Sequence, residues 1–187
     1  MVIFFFGIIS IPDKIKSGEL DHYLTKPVNP LLRLTFENVN PGSIPLIFAS
    51  IGIIMYGISI SEISVTPIRI LAYGALVLLM TLLWYDVELI LRTIPFFVMS
   101  ATNISRLEDS FLEISMKVPG VLFKGVFKVL FYFILPYGIM ATIPTQVITQ
   151  TISTRGLIYG VSIVVIFTVF TFWLWTFGLK HYKSASS

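Results

Sequence analysis

Cysteine is absent from the 187-residue chain, which excludes disulfide scaffolds, thiolate metal sites and cysteine nucleophiles together. Histidine occurs twice, at His22 and His181, on separate segments, so no histidine metal pair can be read. Charge is scarce. Asp, Glu, Lys and Arg make up 12% of the residues, about half the share of an ordinary soluble domain. Apolar residues take their place, at 56% hydrophobic and 14% aromatic, with a mean hydropathy of +0.89. So few charges cannot coat a water-soluble globule. The composition excludes a disordered chain, a collagen and a coiled coil, and predicts an all-α, polytopic integral membrane bundle. A phosphate-binding loop is missing too. Gly120 and Gly125 have its spacing, but Val126 and Phe127 stand where a Lys and a Ser or Thr would hold phosphate and magnesium. No basic–aromatic array suggests nucleic acid.

The few charges are clustered. Of the 13 basic and 10 acidic residues, eight fall between Asp13 and Glu37 and seven between Arg106 and Lys128. The apolar stretches between such islands predict spans, since a bilayer core takes roughly 20 helical residues. We expect spans at 43–61, 66–85, 87–102 and 156–179. Thr66-Pro67 is a good helix start, a capping hydroxyl followed by proline at the first helical position. The stretch 87–102 is harder to place, because Asp86, Glu88 and Arg92 are intramembrane charges, which are expensive in lipid. Glu88 and Arg92 are four apart and can pair on one helix face. The expected layout has a tight turn near Tyr85; the alternative is one long kinked helix over 66–102. In 118–150, Pro136, Gly138 and Pro144 interrupt the backbone ladder, so either a re-entrant element or a proline-kinked span fits. Residues 1–12 are apolar but too short to cross, and read as a partial span. Residues 105–117 have the pattern of an amphipathic interfacial helix.

The segment 13–41 is not written as a floppy loop. Asn29-Pro30 is a second cap-and-proline start. Lys16-Ser17-Gly18 reads as a break between short helices. By the positive-inside rule, Lys14, Lys16, Lys26 and Arg33, with Lys180 and Lys183 at the end, place 13–41 and the C-terminus in the cytoplasm.

Three stretches together resemble the ABC-2-type permeases of bacterial ABC exporters: SGELDHYLTKPVNPLLRL, FILPYGIMATIPTQ and WLWTFGLKHYKSASS. The matching positions are Gly18, Leu20, Asp21, Leu24, Lys26 and Pro27; Pro136 and Pro144; and Gly178, Leu179, Tyr182, Ser184 and Ala185. The resemblance covers nearly the whole chain. Family members have six spans, so it implies that the first span and part of the second are missing here. It also implies a transport subunit in the bacterial plasma membrane rather than an enzyme. That subunit dimerises with itself or a sister permease. It carries no cofactor, and ATP and magnesium belong to a separate ABC ATPase. The ATPase-coupling residues it implies are Lys16, Ser17, Gly18, Glu19, Leu20, Asp21, Leu24, Lys26 and Pro27, and it matches 118–150 to a re-entrant element on the outer side. Two other readings of the sequence are a small multi-span enzyme acting on lipid, for which Asp86, Glu88 and Arg92 are the only candidates, and a non-transporting scaffold.

Overall fold

A computed structural model describes residues 6–38, 40–60, 65–97, 110, 113–114, 117–118 and 120–182. Among them no strand occurs. Four short helices come first: α1 (Phe6–Ile9), α2 (Ile11–Ser17), α3 (Asp21–Leu24) and α4 (Pro30–Phe36). A 3-10 turn at Pro41–Ser43 leads into α5 (Ile44–Ile60), and α6 (Pro67–Thr93) ends in a 3-10 turn at Ile94–Phe96. Then come α7 (Gly125–Val129), which continues as a π turn over Leu130–Ile134, α8 (Tyr137–Ile148) and α9 (Thr154–His181).

Helix starts follow the local chemistry. The Asn29 side chain accepts hydrogen bonds from the backbone N–H groups of Leu31 at 2.9 Å and Leu32 at 3.4 Å, and Pro30 occupies the first turn of α4. Asn40 does the same for Gly42 ahead of α5. Gly18, with φ of 79°, ends α2 in the left-handed conformation that glycine adopts without a Cβ penalty.

Among the described residues, three helices have the length and apolarity to cross a membrane: Pro41–Ile60, Pro67–Phe96 and Thr154–His181. A fourth candidate is the broken pair Gly125–Ile134 and Tyr137–Ile148, bent by 84°. The expected turn near Tyr85 is not there. α6 runs unbroken through Asp86, Glu88 and Arg92 to Thr93, so 66–85 and 87–102 are not separate helices. The physical reason is that Glu88 pairs with Arg92 and Asp86 is bonded through one carboxylate oxygen inside the fold (below), so the helix need not break to hydrate them. Residues 98–102 and most of 105–117 lie outside the described residues, as do 1–5.

The chain divides into two compact units. One comprises the described residues of Met1–Glu62, Glu88–Ala101 and Trp173–Ser187. Its core is Ile8, Ile11, Leu20, Leu31 and Leu34, all buried. Each such side chain contributes about 1.5–3 kcal/mol when taken out of water. α1 and α4 touch backbone to backbone: a Cβ on Gly7 would lie 1.7 Å from the Leu34 carbonyl oxygen. No residue of α5 is buried, as expected of a helix whose apolar surface faces lipid or another subunit.

The other unit comprises the described residues of Ile63–Val87 and Thr102–Phe172. Leu76, Met80 and Leu83 of α6, on one helical face, pack against Ile139 and Ile143 of α8 and Ile163 and Val164 of α9. Gly160 permits the close crossing of α8 and α9, since a Cβ there would lie 2.5 Å from Ile143 Cδ1.

Candidate functional site

The segment 11–37 is tied together by charge. The Lys14 ammonium donates hydrogen bonds to the Tyr23 hydroxyl and to Glu37, and the Tyr23 hydroxyl donates to the other Glu37 oxygen. Lys14 Nζ and the Arg33 guanidinium also lie over the Tyr23 ring, 4.4 and 4.7 Å from its centroid. One tyrosine therefore joins α2, α3 and the end of α4. Burial alone would lower the Lys14 pKa, but the bonds to Glu37 and Tyr23 and the Glu37 charge hold it above its ordinary value. Burial alone would raise the Glu37 pKa. The hydrogen bonds from Lys14 and Tyr23, with the charges of Lys14 and Arg33, hold it below the usual carboxylate range.

The residues expected to meet an ATPase divide cleanly. Leu20 is fully buried and anchors the turn between α2 and α3. Lys16, Ser17, Glu19, Leu24, Lys26 and Pro27 are exposed, with Gly18 and Asp21 half-buried. In the same unit, α2 packs on the turn Ile94–Phe96. The end of α9 arrives there as well. Phe96 makes edge-on ring contacts with Trp175 at 5.6 Å and Tyr182 at 5.8 Å. Gly178 has room for no Cβ, which would fall 2.7 Å from the Phe96 ring. Tyr182 stands beside Asp21; burial and then the Asp21 charge raise its phenol pKa above the ordinary value. Two of the quoted sequence stretches, at Asp21 and Tyr182, thus meet in space. The sequence assigned no role to Tyr23 or Glu37, and Lys14 counted only among the basic residues that set the orientation.

Of the intramembrane charges, Glu88 and Arg92 pair with each other, while Asp86 is served at one carboxylate oxygen and keeps Oδ1 buried without a hydrogen-bond partner among the described residues. Arg92 donates to Glu88 at 3.1 Å, the pairing their spacing suggested. Asp86 is fully buried. Its Oδ2 accepts a hydrogen bond from the Thr168 hydroxyl at 2.6 Å, and its backbone carbonyl one from Thr171 at 3.3 Å. Thr168 and Thr171 carry no signal in a sequence where threonines abound.

The broken helix is held by a different device. Pro136 has no N–H, so the Tyr132 carbonyl loses its helical partner. The Tyr159 hydroxyl of α9 donates to that carbonyl in its place. Leu135 N–H folds back to Leu130 O at 2.8 Å, closing the π turn. Gly138 sits against the break, where a Cβ would lie 3.0 Å from Phe131 O and 3.2 Å from the Tyr132 ring. Pro144 is buried inside α8. Along α8, Thr142, Thr145, Gln146 and Thr149 recur at helical spacing and line a groove with Gly120, Val121, Ala141 and Thr151. Among the described residues, no three His, Asp or Glu side chains gather where they could share a metal ion.

A family model described as ABC-2 family transporter protein matches residues 1–186. No curated protein and no solved structure matches the chain. The match covers almost the whole sequence, so the chain belongs to the ABC-2 transporter family. With its apolar spanning helices, it is a multi-pass membrane permease subunit of an ABC transporter, a transport component rather than a catalytic one.

Proposed function

We propose that this permease pairs with a second permease subunit, either itself or a sister chain, and is driven to export its substrate by a separate ABC ATPase docking on the segment 13–41. ATP and magnesium would be held by that ATPase. One observation carries this reading: the Lys14–Tyr23–Glu37 knot makes a rigid body of three helices that are too short to be stable alone. A rigid body passes on a displacement that a loop would absorb. It presents Lys16, Glu19, Leu24 and Lys26 outward, and it packs on the turn ending α6 and beside Tyr182 at the end of α9. A push on α3 would therefore reach two spanning helices at once.

The same contacts support the orientation. The segment 11–37 packs on the turn ending α6 and stands beside Tyr182 at the end of α9, so the three belong on one side of the membrane. Positive charge in 13–41 makes that side the cytoplasm of a bacterial cell membrane. α5 then leads out and α6 returns. For α9 to return to the same side, the intervening chain must cross outward once more. Gly120, ahead of α7, abuts Gly138 and Thr142 of α8 and shares a groove with Thr149 and Thr151 past its end, so the chain turns back on itself over α7–α8, which favours the re-entrant reading of 118–150.

Docking is tested by co-expressing the chain with its ATPase and substituting two exposed residues, Leu24→Asp and Lys26→Glu. We expect both variants to insert normally and to lose co-purification with the ATPase, by about tenfold or more for Leu24→Asp if it is a central apolar anchor. Undiminished co-purification of the double variant would remove 13–41 from the interface.

A further inference from the structure

We propose that the groove along α8 is a binding site for an uncharged, hydroxyl-rich headgroup, such as a hexose carried on a membrane lipid. It does not depend on the ATPase docking proposed above. The groove is open on one side and offers about 350 Å³, at the small end of ligand sites and large enough for one sugar ring. Thr142, Thr145, Gln146 and Thr149 place a polar stripe on one face of α8, and Thr151 continues it past the helix end.

The hydrogen bonds define what the groove offers. The hydroxyls of Thr142, Thr145 and Thr149 spend their protons on the carbonyls of Gly138, Ala141 and Thr145, at 2.6, 2.7 and 2.9 Å. Their oxygens can still accept, although the Thr149 hydroxyl is also bonded to that of Thr151 at 3.0 Å, which leaves Thr145 and Gln146 as the most open groups. The Gln146 side chain has no hydrogen-bond partner among the described residues, and can both donate and accept. No charged side chain lines the groove. A cation would find no carboxylate, and an anion no cation to offset its lost hydration. A neutral polyol donates to the threonine oxygens and pairs with Gln146, while threonine methyls face its C–H edges. Gly120 closes one end of the groove by packing directly on α8: a Cβ there would lie 2.2 Å from Gly138 O and 2.3 Å from Thr142 Oγ1.

Position favours a lipid source. The groove adjoins the start of α9, whose 28 residues extend about 42 Å, so that end reaches headgroup depth. Val121 lines the groove, and it and its neighbour Leu122 are exposed. They offer an apolar rim for an acyl chain.

The test uses the full-length permease in phosphatidylcholine nanodiscs doped with monoglucosyl diacylglycerol, with bound glycolipid measured by native mass spectrometry and free glucose as competitor. Saturable glycolipid binding is expected, weakened about tenfold or more in Thr145→Val/Gln146→Leu, which removes an acceptor and the free amide. Thr145→Ser, which keeps the acceptor, should bind within about twofold of the parent. Thermal unfolding of each variant checks that the fold is intact. Competition by glucose means that the headgroup alone suffices and a soluble sugar is also a ligand; no competition means that the lipid form is required. Absence of saturable binding, or binding unchanged in an intact double variant, overturns the proposal.

Discussion

Between Ile11 and Phe36, helices of seven, four and seven residues are fixed by one lysine, one tyrosine and one glutamate. Between Gly125 and Ile148, a bend of 84° is fixed by a tyrosine hydroxyl on a carbonyl and by glycines in close contact. Both regions are irregular helix, and both have to be rigid to function in transport as proposed. The difference lies in the solvent each is built for. The first sits where water can hydrate the outer faces of its charges, so an ion-paired knot is tolerable. The second has the apolarity of a broken span, and wherever such a break enters lipid each freed carbonyl must be satisfied from within the protein and a charge would be costly. Asp86 inside α6 follows the same rule in part: its Oδ2 and its backbone carbonyl are served by threonines of α9, while its Oδ1 is buried without a partner among the described residues.

That contrast can be broken at its packing first. Gly7→Ala should have the largest effect, because a methyl 1.7 Å from the Leu34 carbonyl oxygen must push α1 and α4 apart. Overpacking of this kind costs about 1–3 kcal/mol or more, and should appear as poor yield and early thermal unfolding. A yield and melting point equal to the parent's would mean that α1 does not pack there. Tyr159→Phe comes next. It leaves the Tyr132 carbonyl without a partner and should cost about 1–3 kcal/mol, read by chemical denaturation in detergent micelles. No change would mean that the break is not held by this bond.

The smallest effect is a pH dependence unique to the charged region. Glu37 has a lowered carboxyl pKa, so its contribution is present above its unfolded value and is lost as pH falls through the folded one. Lys14 has a raised pKa, so its contribution is present below its unfolded value and is lost as pH rises through the folded one. Stability of the 11–37 segment, followed by hydrogen exchange, should thus decline at both acid and strongly basic pH. Glu37→Gln should flatten the acid limb, while α7–α8 shows no such dependence. Equal pH dependence in both regions would dissolve the distinction.

Much of this was legible in advance where the signal is local. Asn29-Pro30 starts α4 and Gly18 ends α2 because caps and left-handed turns depend on a few adjacent residues. Pro136 announces a break for the same reason, and even which carbonyl is orphaned. It does not say that Tyr159, 27 residues away from Tyr132, repairs it. The turn expected near Tyr85 failed on the same ground. Charges at Asp86 and Glu88 argue for leaving the membrane only if no partner waits for them, and Thr168 lies 82 residues from Asp86. The residues matched to coupling were found through resemblance, and the geometry adds which are anchors and which are surface.

By itself, the sequence determined that this chain is a helical membrane protein, where its polar segments lie and where its helices are capped or broken. Composition and nearest-neighbour sterics are sufficient for that. Only the tertiary structure decided that Lys14, Tyr23 and Glu37 form one knot, that α6 stays whole, that Asp21 meets Tyr182, and that four polar residues of α8 face a common groove. Each of these depends on which side chains satisfy a buried charge or an unpaired backbone group. That partner is set by packing across the fold and is not encoded in spacing along the chain.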